Sequence, residues 1–323
     1  MTTHILSGAA GRRTAAALLK DGAVVALPTE TVYGLAANAL DPEAVAAVFN
    51  SKKRPLDNPL IVHVAGKEAP KKYGLKMTPL ARRLIREFWP GPLTILFQKV
   101  RDAVPSVLSI PPVVSCGLDT VAVRFPNNET FVKVIKKCGF PLVAPSANLA
   151  GRPSPTTAAH VYKDLKRRIP LIVDGGACEV GLESTVVKLE RDFIRILRPG
   201  AITAEMLSEF GKVIVDDAVY NPVEGVTLSP GTAYKHYSPK AEVVAVRCDC
   251  EKEFCAYIDN KTIDTNEGVI VSPEMHTLYS AFRDFDDRGA VRVYVRLPEP
   301  VGVGLALYNR IVRAAEFNVI EVK

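Results

Sequence analysis

The stretch that decides the fold runs from Pro28-Thr29-Glu30-Thr31-Val32-Tyr33-Gly34 to Ser51-Lys52-Lys53-Arg54-Pro55-Leu56-Asp57-Asn58-Pro59-Leu60-Ile61-Val62-His63. An apolar run, Ala23 to Leu27, precedes it and is short enough for a buried strand. Proline stops that run. A polar turn then presents two threonines, a carboxylate and a tyrosine beside Gly34, where backbone can approach closely. Asp41-Pro42-Glu43 opens a helix with an N-cap carboxylate and a proline at the first helical position. Ala44, Val45, Ala47 and Val48 give it an apolar stripe, and Pro55 ends it after Ser51-Lys52-Lys53-Arg54. Leu60-Ile61-Val62 reads as a second strand ending at His63. Strand, turn, helix and strand therefore converge on a cationic cluster beside hydroxyls. Arginine as a rigid fork and lysine as a mobile point charge suit a phosphate. The same cluster taken alone also suits a solvated helix C-terminus.

Working outward, Thr14 to Lys20 reads as a helix closed by Asp21-Gly22, and Thr78-Pro79 caps another that places Leu80, Leu84, Ile85 and Phe88 on one face. Trp89-Pro90-Gly91-Pro92 is a rigid turn into the strand Leu93 to Phe97, with the tryptophan as a packing anchor. Residues 101–120 form an irregular excursion ending in the strand Thr120 to Phe125. Arg124, near the end of that strand, either snorkels or binds a carboxylate. Phe140 to Asn148 is a short strand delivering Ser146 and Asn148, which share a face in extended chain. Ser154-Pro155 has the form of an N-cap with proline behind it, and the helix start offers free N–H groups to an anion; ordinary turn and capping roles fit as well. Leu171 to Asp174 reads as a strand, Leu182 to Leu189 and Phe193 to Gly200 as a hairpin, and Thr203 as the cap of a helix that stops before Gly211.

Residues 216–240 are rich in turn formers and carry Tyr234, His236 and Tyr237, which suits a lid better than a passive spacer. From Ala241 the pattern restarts. Strand-like runs at 243–246, 268–271, 291–295 and 319–322, with helical runs at 278–285 and 305–315, predict a small parallel α/β unit. The expected organisation is a first domain over 1–215, a linker or lid over 216–240 and a second domain over 241–323.

Composition bounds the function. A chain of 323 residues, 48% hydrophobic and 24% charged, suits a globular protein with two domains. Its net charge of +6 permits contact with nucleotides or nucleic acid without demanding it. No apolar run is long enough to span a membrane, and Met1-Thr2-Thr3-His4 lacks the order of a secretory signal. The six cysteines, at 116, 138, 178, 248, 250 and 255, lack paired zinc spacing, so chance neighbours in a reducing cytoplasm are the better reading of the last three.

These stretches, in this order, resemble the Sua5/YrdC family, the threonylcarbamoyl-AMP synthases. The matching pieces are PTETVYGLA at 28–36, KKRPLDNPLIVH at 52–63, WPGPLT at 89–94, VAVRFP at 121–126, PLVAPSAN at 141–148, ESTVV at 183–187 and LRPG at 197–200. SPGTAYKHYSP at 229–239 resembles the linker of the longer, two-domain Sua5 type. The resemblance implies a YrdC-like twisted α/β catalytic domain with a large concave basic cavity, followed by a smaller Rossmann-like α/β domain. It implies that ATP, L-threonine and bicarbonate give threonylcarbamoyl-adenylate and pyrophosphate, for the N6-threonylcarbamoyl modification of tRNA position 37 through downstream transfer proteins. The K-x-R…S-x-N signature falls on Lys52, Arg54, Ser146 and Asn148 as catalytic residues. ATP contacts fall on Arg54, Asn58, Thr120, Ser146, Ser154, Arg198 and Tyr237, and threonine contacts on Thr31, His63, Arg124, Ala144 (through backbone) and Ser184. Magnesium is expected with the triphosphate rather than in a protein cage. The chemistry needs no protein nucleophile, since the N-carboxylate of threonine can attack the α-phosphorus directly; positioning and charge stabilisation then carry catalysis. The rivals are an RNA-binding module of the same fold and a carbamoyltransferase of hydrogenase maturation. Against them, the chain has no RNP- or KH-like signature and no zinc-type cysteine motif.

Overall fold

The computed structural model describes residues 1–100, 109–222, 237–259 and 266–322. Tyr234 and His236, and most of the lid expected of 216–240, lie outside the described residues. The strands are β1 His4–Ser7, β2 Val25–Leu27, β3 Gly34–Asn38, β4 Ile61–His63, β5 Leu93–Gln98, β6 Thr120–Arg124, β7 Leu142–Val143, β8 Leu171–Asp174, β9 Thr185–Leu189, β10 Ile194–Arg198 and β11 Val213–Val215, then β12 Glu242–Arg247, β13 Glu267–Ile270, β14 Arg292–Arg296 and β15 Val319–Glu321. Among the described residues, the first eleven form one mixed sheet in the order β1-β8-β2-β3-β7-β4-β6-β5-β9-β10-β11. The last four form a parallel sheet in the order β13-β14-β12-β15. The α/β class, the hairpin of β9 and β10 and the second parallel unit all match the sequence-based expectation.

Period-two alternation makes the first unit three layers. On one face Ala26, Leu35, Val62, Val123, Ile95 and Val187 pack into a core with the buried stripes of helices Pro42–Lys52, Pro79–Phe88 and Ala158–Leu165. Trp89 anchors this core, buried, with its indole N–H donating to Leu93 O at 2.8 Å. On the other face Leu27, Ala36 and Leu142 meet helices Gly8–Lys20 and Glu129–Cys138. A separate small cluster, Ile61, Leu96, Ala122, Val186 and Leu197, lies under β4, β6, β5, β9 and β10. The pocket described below opens over this part of the sheet.

Two expectations change. The first helix begins at Gly8, not Thr14, because Ala9 and Ala10 continue its alanine-rich run back to the end of β1. Ser154 does not cap the next helix. That helix starts three residues later, where Thr157 Oγ1 accepts from His160 N at 3.2 Å. Tyr33 N donates to Pro155 O at 2.9 Å, so residue 155 is tied to the β3 turn and is not free to start a helix. The cysteines at 248, 250 and 255 flank the start of helix Glu251–Asp259, which has no counterpart in the sequence reading; all six are unbridged.

In the second unit β12 alternates Val243 and Ala245 with Val244 and Val246, and both sets are buried, as a sheet covered on both faces requires. Helices Leu278–Asp287 and Gly304–Ala314 pack between this sheet and the first unit, and their core includes Val32, Leu182 and Tyr237. At Gly181 the backbones approach so closely that a Cβ would lie 2.4 Å from His276 Cα. Asp164, in the first unit, binds Arg283 of the second through Nη2 to Oδ2 at 2.8 Å, and both are buried. Removing one partner of such a pair leaves a buried charge uncompensated. Arg283→Met is therefore expected to lower unfolding free energy by about 3 kcal/mol in urea titration; a loss below about 1 kcal/mol would show that Arg152, 2.9 Å from the same carboxylate, suffices alone.

Candidate active site

The site is built from strand ends brought level by register. His63 lies opposite Arg124 across β4 and β6, and Arg124 lies opposite Thr94 across β6 and β5. Ala144, just beyond β7, donates its N–H to Ile61 O at 3.3 Å. Gly34 lets the two signature turns meet: a Cβ there would lie 3.0 Å from the Ala144 Cβ, and Leu35 N donates to Pro145 O at 2.7 Å. The result is a cavity of about 550 Å³ including its open mouth, within the usual range for small-molecule sites. Its wall includes Thr31, Arg54, His63, Arg124, Ala144, Ser146, Glu183, Ser184, Arg198 and Tyr237.

The helix Pro42–Lys52 delivers the cationic cluster. Asp41 Oδ1 caps it, accepting from Glu43 N at 2.9 Å, and Lys53 ends it in the left-handed region at φ 54°. That turn sends Lys52 and Arg54 to different places. Arg54 reaches the cavity, with Nη2 donating to Pro59 O at 3.1 Å. Burial lowers its pKa to about 10, so it stays cationic at neutral pH. Lys52 turns inward and is 2% exposed. Its Nζ donates to Ser146 O and, at 2.7 Å, to Asn148 O. Burial first, and Arg54 second, hold its pKa well below the ordinary lysine value. Lys52 is thus the clamp behind the Ser146–Asn148 loop and stands outside the cavity wall.

Arg124 is buried between Glu30, 2.8 Å from Nη2, and Thr31, whose Oγ1 accepts from Nη1 at 2.9 Å. Its third contact is Nε to Gly91 O at 3.3 Å. Arg124 does not snorkel to solvent: it is buried and paired with the protein's own carboxylate, Glu30. Arg198 Nε donates to Ser184 O at 3.1 Å and Nη2 to Ser184 Oγ at 3.2 Å, and that hydroxyl also meets Thr94 Oγ1 at 2.8 Å. His63 is fully enclosed against Phe131, ring centroids 5.2 Å apart, with Nδ1 3.2 Å from Ile61 O. Burial, and then the nearby Arg124, lower its pKa to about 3.

Of the residues anticipated from sequence, Thr31, Arg54, His63, Arg124, Ala144, Ser146, Ser184, Arg198 and Tyr237 share the cavity wall. Asn58, Thr120, Asn148 and Ser154 stand outside it together with Lys52. Asn58 is 1% exposed, and neither atom of its amide has a partner among the described residues. Asn148 is held by Lys52 and donates to Arg152 O at 2.9 Å. Ser154 donates to Glu183. Thr120 opens β6 opposite Gln98, roughly 13 Å along the strand from Arg124. Sequence reasoning misses two residues, Glu30 and Glu183. Both sit inside quoted motifs, and a carboxylate among apolar and β-branched neighbours signals a buried charge that needs a partner.

A family model described as "Telomere recombination", the Sua5/YciO/YrdC model, matches residues 17–200, and one described as "Threonylcarbamoyl-AMP synthase, C-terminal domain" matches residues 202–316. The threonylcarbamoyl-AMP synthase of Pyrococcus abyssi is 38% identical over 96% of this chain and 95% of that protein. The chain belongs to the Sua5/YrdC family of threonylcarbamoyl-AMP synthases. The Bacillus subtilis member of this family is also 38% identical, over 95% of this chain and 93% of its own. The crystal structure of P. abyssi Sua5 complexed with L-threonine superposes with a TM-score of 0.90 at 36% identity, covering all of both chains. The two-domain Sua5 architecture expected from the linker motif is thereby established.

The His63 environment has a thermodynamic consequence. Its folded pKa lies below its unfolded one, so the unfolded state binds the extra proton between about pH 6.5 and 3. Stability from this group is complete above about pH 6.5 and is lost as pH falls toward the folded value. Between pH 7 and 5 the wild type should lose about 2 kcal/mol more stability than His63→Gln in urea titrations. Equal losses would mean that His63 is protonated in the fold.

Proposed function

We propose that this protein condenses L-threonine, bicarbonate and ATP to L-threonylcarbamoyl-adenylate and pyrophosphate. The observation that carries this reading is the convergence of Arg54, Arg124 and Arg198 on one cavity whose wall also carries the hydroxyls of Thr31, Ser146 and Ser184, a neutral imidazole, and one carboxylate, Glu183, that is already engaged by Arg310. The amine of threonine adds to bicarbonate or CO₂, and the resulting N-carboxylate attacks the α-phosphorus and expels pyrophosphate. Arg54 and Arg198 carry the positive charge for the triphosphate, where charge-assisted bonds are strongest. Arg124, which forms part of the wall, takes the threonine carboxylate, with Thr31, His63, Ser184 and the Ala144 backbone around the amino acid. A His63 pKa near 3 suits a positioning donor or acceptor better than a general base at neutral pH. Lys52 acts through the carbonyls of Ser146 and Asn148 and so shapes the site that Ser146 faces.

Magnesium enters this reading with ATP, offsetting phosphate charge. Among the described residues there is no cluster of three His, Cys, Asp or Glu side chains suited to a metal, and the wall carboxylate, Glu183, is engaged by Ser154, Tyr279 and Arg310. In the cell the product would feed N6-threonylcarbamoylation of tRNA position 37 through separate transfer proteins. A cytoplasmic location accords with the free cysteines, and among the described residues no helix is long and apolar enough to cross a membrane.

Pyrophosphate release that requires both threonine and bicarbonate, with labelled bicarbonate recovered in the adenylate, is the expected result. Nucleotide turnover independent of threonine would refute the assignment. Arg54→Ala should lower adenylate formation by roughly 100-fold or more with the fold intact. Arg124→Lys should raise the threonine KM far above any change in the ATP KM, since lysine cannot replace a bidentate fork. Equal changes in both constants would give Arg124 a structural role only.

A further inference from the structure

Helix Gly304–Ala314 of the second unit is buried from Leu305 to its end, yet it carries Asn309, Arg310 and Arg313. All three point polar groups at the first unit and its extension. Asn309 Nδ2 donates to Val219 O at 2.7 Å and Arg313 Nη2 to Ala218 O at 2.6 Å. Arg310, wholly buried, does more. Its Nε donates to Glu183 Oε2 at 2.9 Å and its Nη2 to Pro199 O at 3.0 Å. Its guanidinium lies 5.1 Å from the centroid of the Tyr237 ring. Tyr279, from the neighbouring helix, donates to the same Glu183 oxygen at 2.9 Å and stacks on Tyr237 at 5.7 Å, 23° from parallel.

These contacts meet at the cavity. Glu183 and Tyr237 are wall residues, Pro199 follows the wall residue Arg198, and Glu183 precedes the wall residue Ser184. The other Glu183 oxygen accepts from Ser154. Burial alone would raise the Glu183 carboxyl, but Arg310 and Arg198 hold it below the ordinary carboxylate range, so it stays an anion and an acceptor. Tyr279 is raised well above the usual phenol value, chiefly by burial, and stays a neutral donor.

We propose that Arg310 of the second domain, with Tyr279, is a positioning residue of the nucleotide site, fixing Glu183, the Arg198–Pro199 turn and Tyr237 so that the phosphate- and base-side wall is complete only when the two domains are docked. This rests on the synthase reading for the identity of the nucleotide. A planar guanidinium is needed because one group must bond a carboxylate and a carbonyl in its plane while its face covers a ring. Thr31, His63 and Arg124 on the amino-acid side take part in none of these contacts, and only Ser184, next to Glu183, adjoins them, so threonine binding should respond less.

The test uses the full chain and calorimetric binding of a non-hydrolysable ATP analogue, with threonine binding and thermal melting alongside. Arg310→Met should weaken analogue binding about tenfold or more, with threonine binding changed less than about threefold. Arg310→Lys, which restores charge without the fork, should recover only part of the loss. Because Arg310→Met strands a buried carboxylate and Glu183→Gln strands a buried guanidinium, the double variant Glu183→Gln/Arg310→Met, which removes both charges, is measured beside the two single variants and the wild type as a double-mutant cycle. The amide oxygen that Glu183→Gln introduces can still accept from Ser154, and the coupling between the two substitutions in analogue binding reads the Arg310–Glu183 contact apart from the cost of stranding either charge. Folded variants that bind the analogue within twofold of their parents would overturn the proposal, as would equal weakening of analogue and threonine. Wild-type protein that binds the analogue but makes no adenylate would overturn the synthase reading and leave this one standing. Wild-type protein that does not bind the analogue would overturn both.

Discussion

The buried Glu30–Arg124 ion pair is the constraint around which the pocket is arranged. Three arginines face one cavity and repel one another, and a folded chain tolerates that only if each is anchored from behind. Glu30 anchors Arg124 at 2.8 Å and accepts from Asn127 N at 3.0 Å, which ties the first signature turn to the end of β6. Arg198 is anchored by Ser184 and faces the charge of Glu183, while Arg54 rests on the Asn58 and Pro59 carbonyls. Each cation is thereby held by the protein while forming part of the cavity wall. A site of this kind needs little reorganisation when an anion arrives, which is the condition under which electrostatic stabilisation is most effective.

The same logic explains why this site sits at the meeting of two sheets rather than inside one. The first sheet supplies strand ends in register, together with a wall carboxylate, Glu183. The second unit supplies a cation bonded to that carboxylate, from a helix whose middle and end are buried throughout. Asp164 and Arg283 repeat the pattern elsewhere in the interface. Burial of Tyr237, Leu182 and Val32 in the second unit's core makes the contact apolar between these ion pairs, so their charges are shielded from water and strongly felt.

Much of this was legible in the sequence, for physical reasons that differ by element. Asp41-Pro42 and Thr78-Pro79 are local capping signals, and both helices begin where those residues place them. The wall residues Thr31, Arg54, His63, Arg124, Ser146 and Ser184 fall in motifs short enough to be recognised as units. Ser154 misled because a serine before a proline has the form of a cap, whereas a tertiary bond from Tyr33 N to Pro155 O ties that backbone to the turn before β3. Lys52 misled in another way. Adjacent cations suggest one shared ligand, but a left-handed residue between Lys52 and Arg54 turns one inward and the other to the cavity. Arg310 and Tyr279 carried no local signal at all, since nothing in a helical apolar run reveals that one arginine lies opposite a glutamate 127 residues away.

The account's central claim is a division of labour in one cavity, with triphosphate at Arg54 and Arg198 and amino acid at Arg124. A crystal structure with threonine and a non-hydrolysable ATP analogue tests it most directly. Phosphate oxygens within hydrogen-bond distance of Arg54 and Arg198, with the threonine carboxylate on Arg124 and the Glu30 pair intact, is the predicted result. Threonine bound away from Arg124, or a triphosphate that leaves Arg54 and Arg198 untouched, would contradict it.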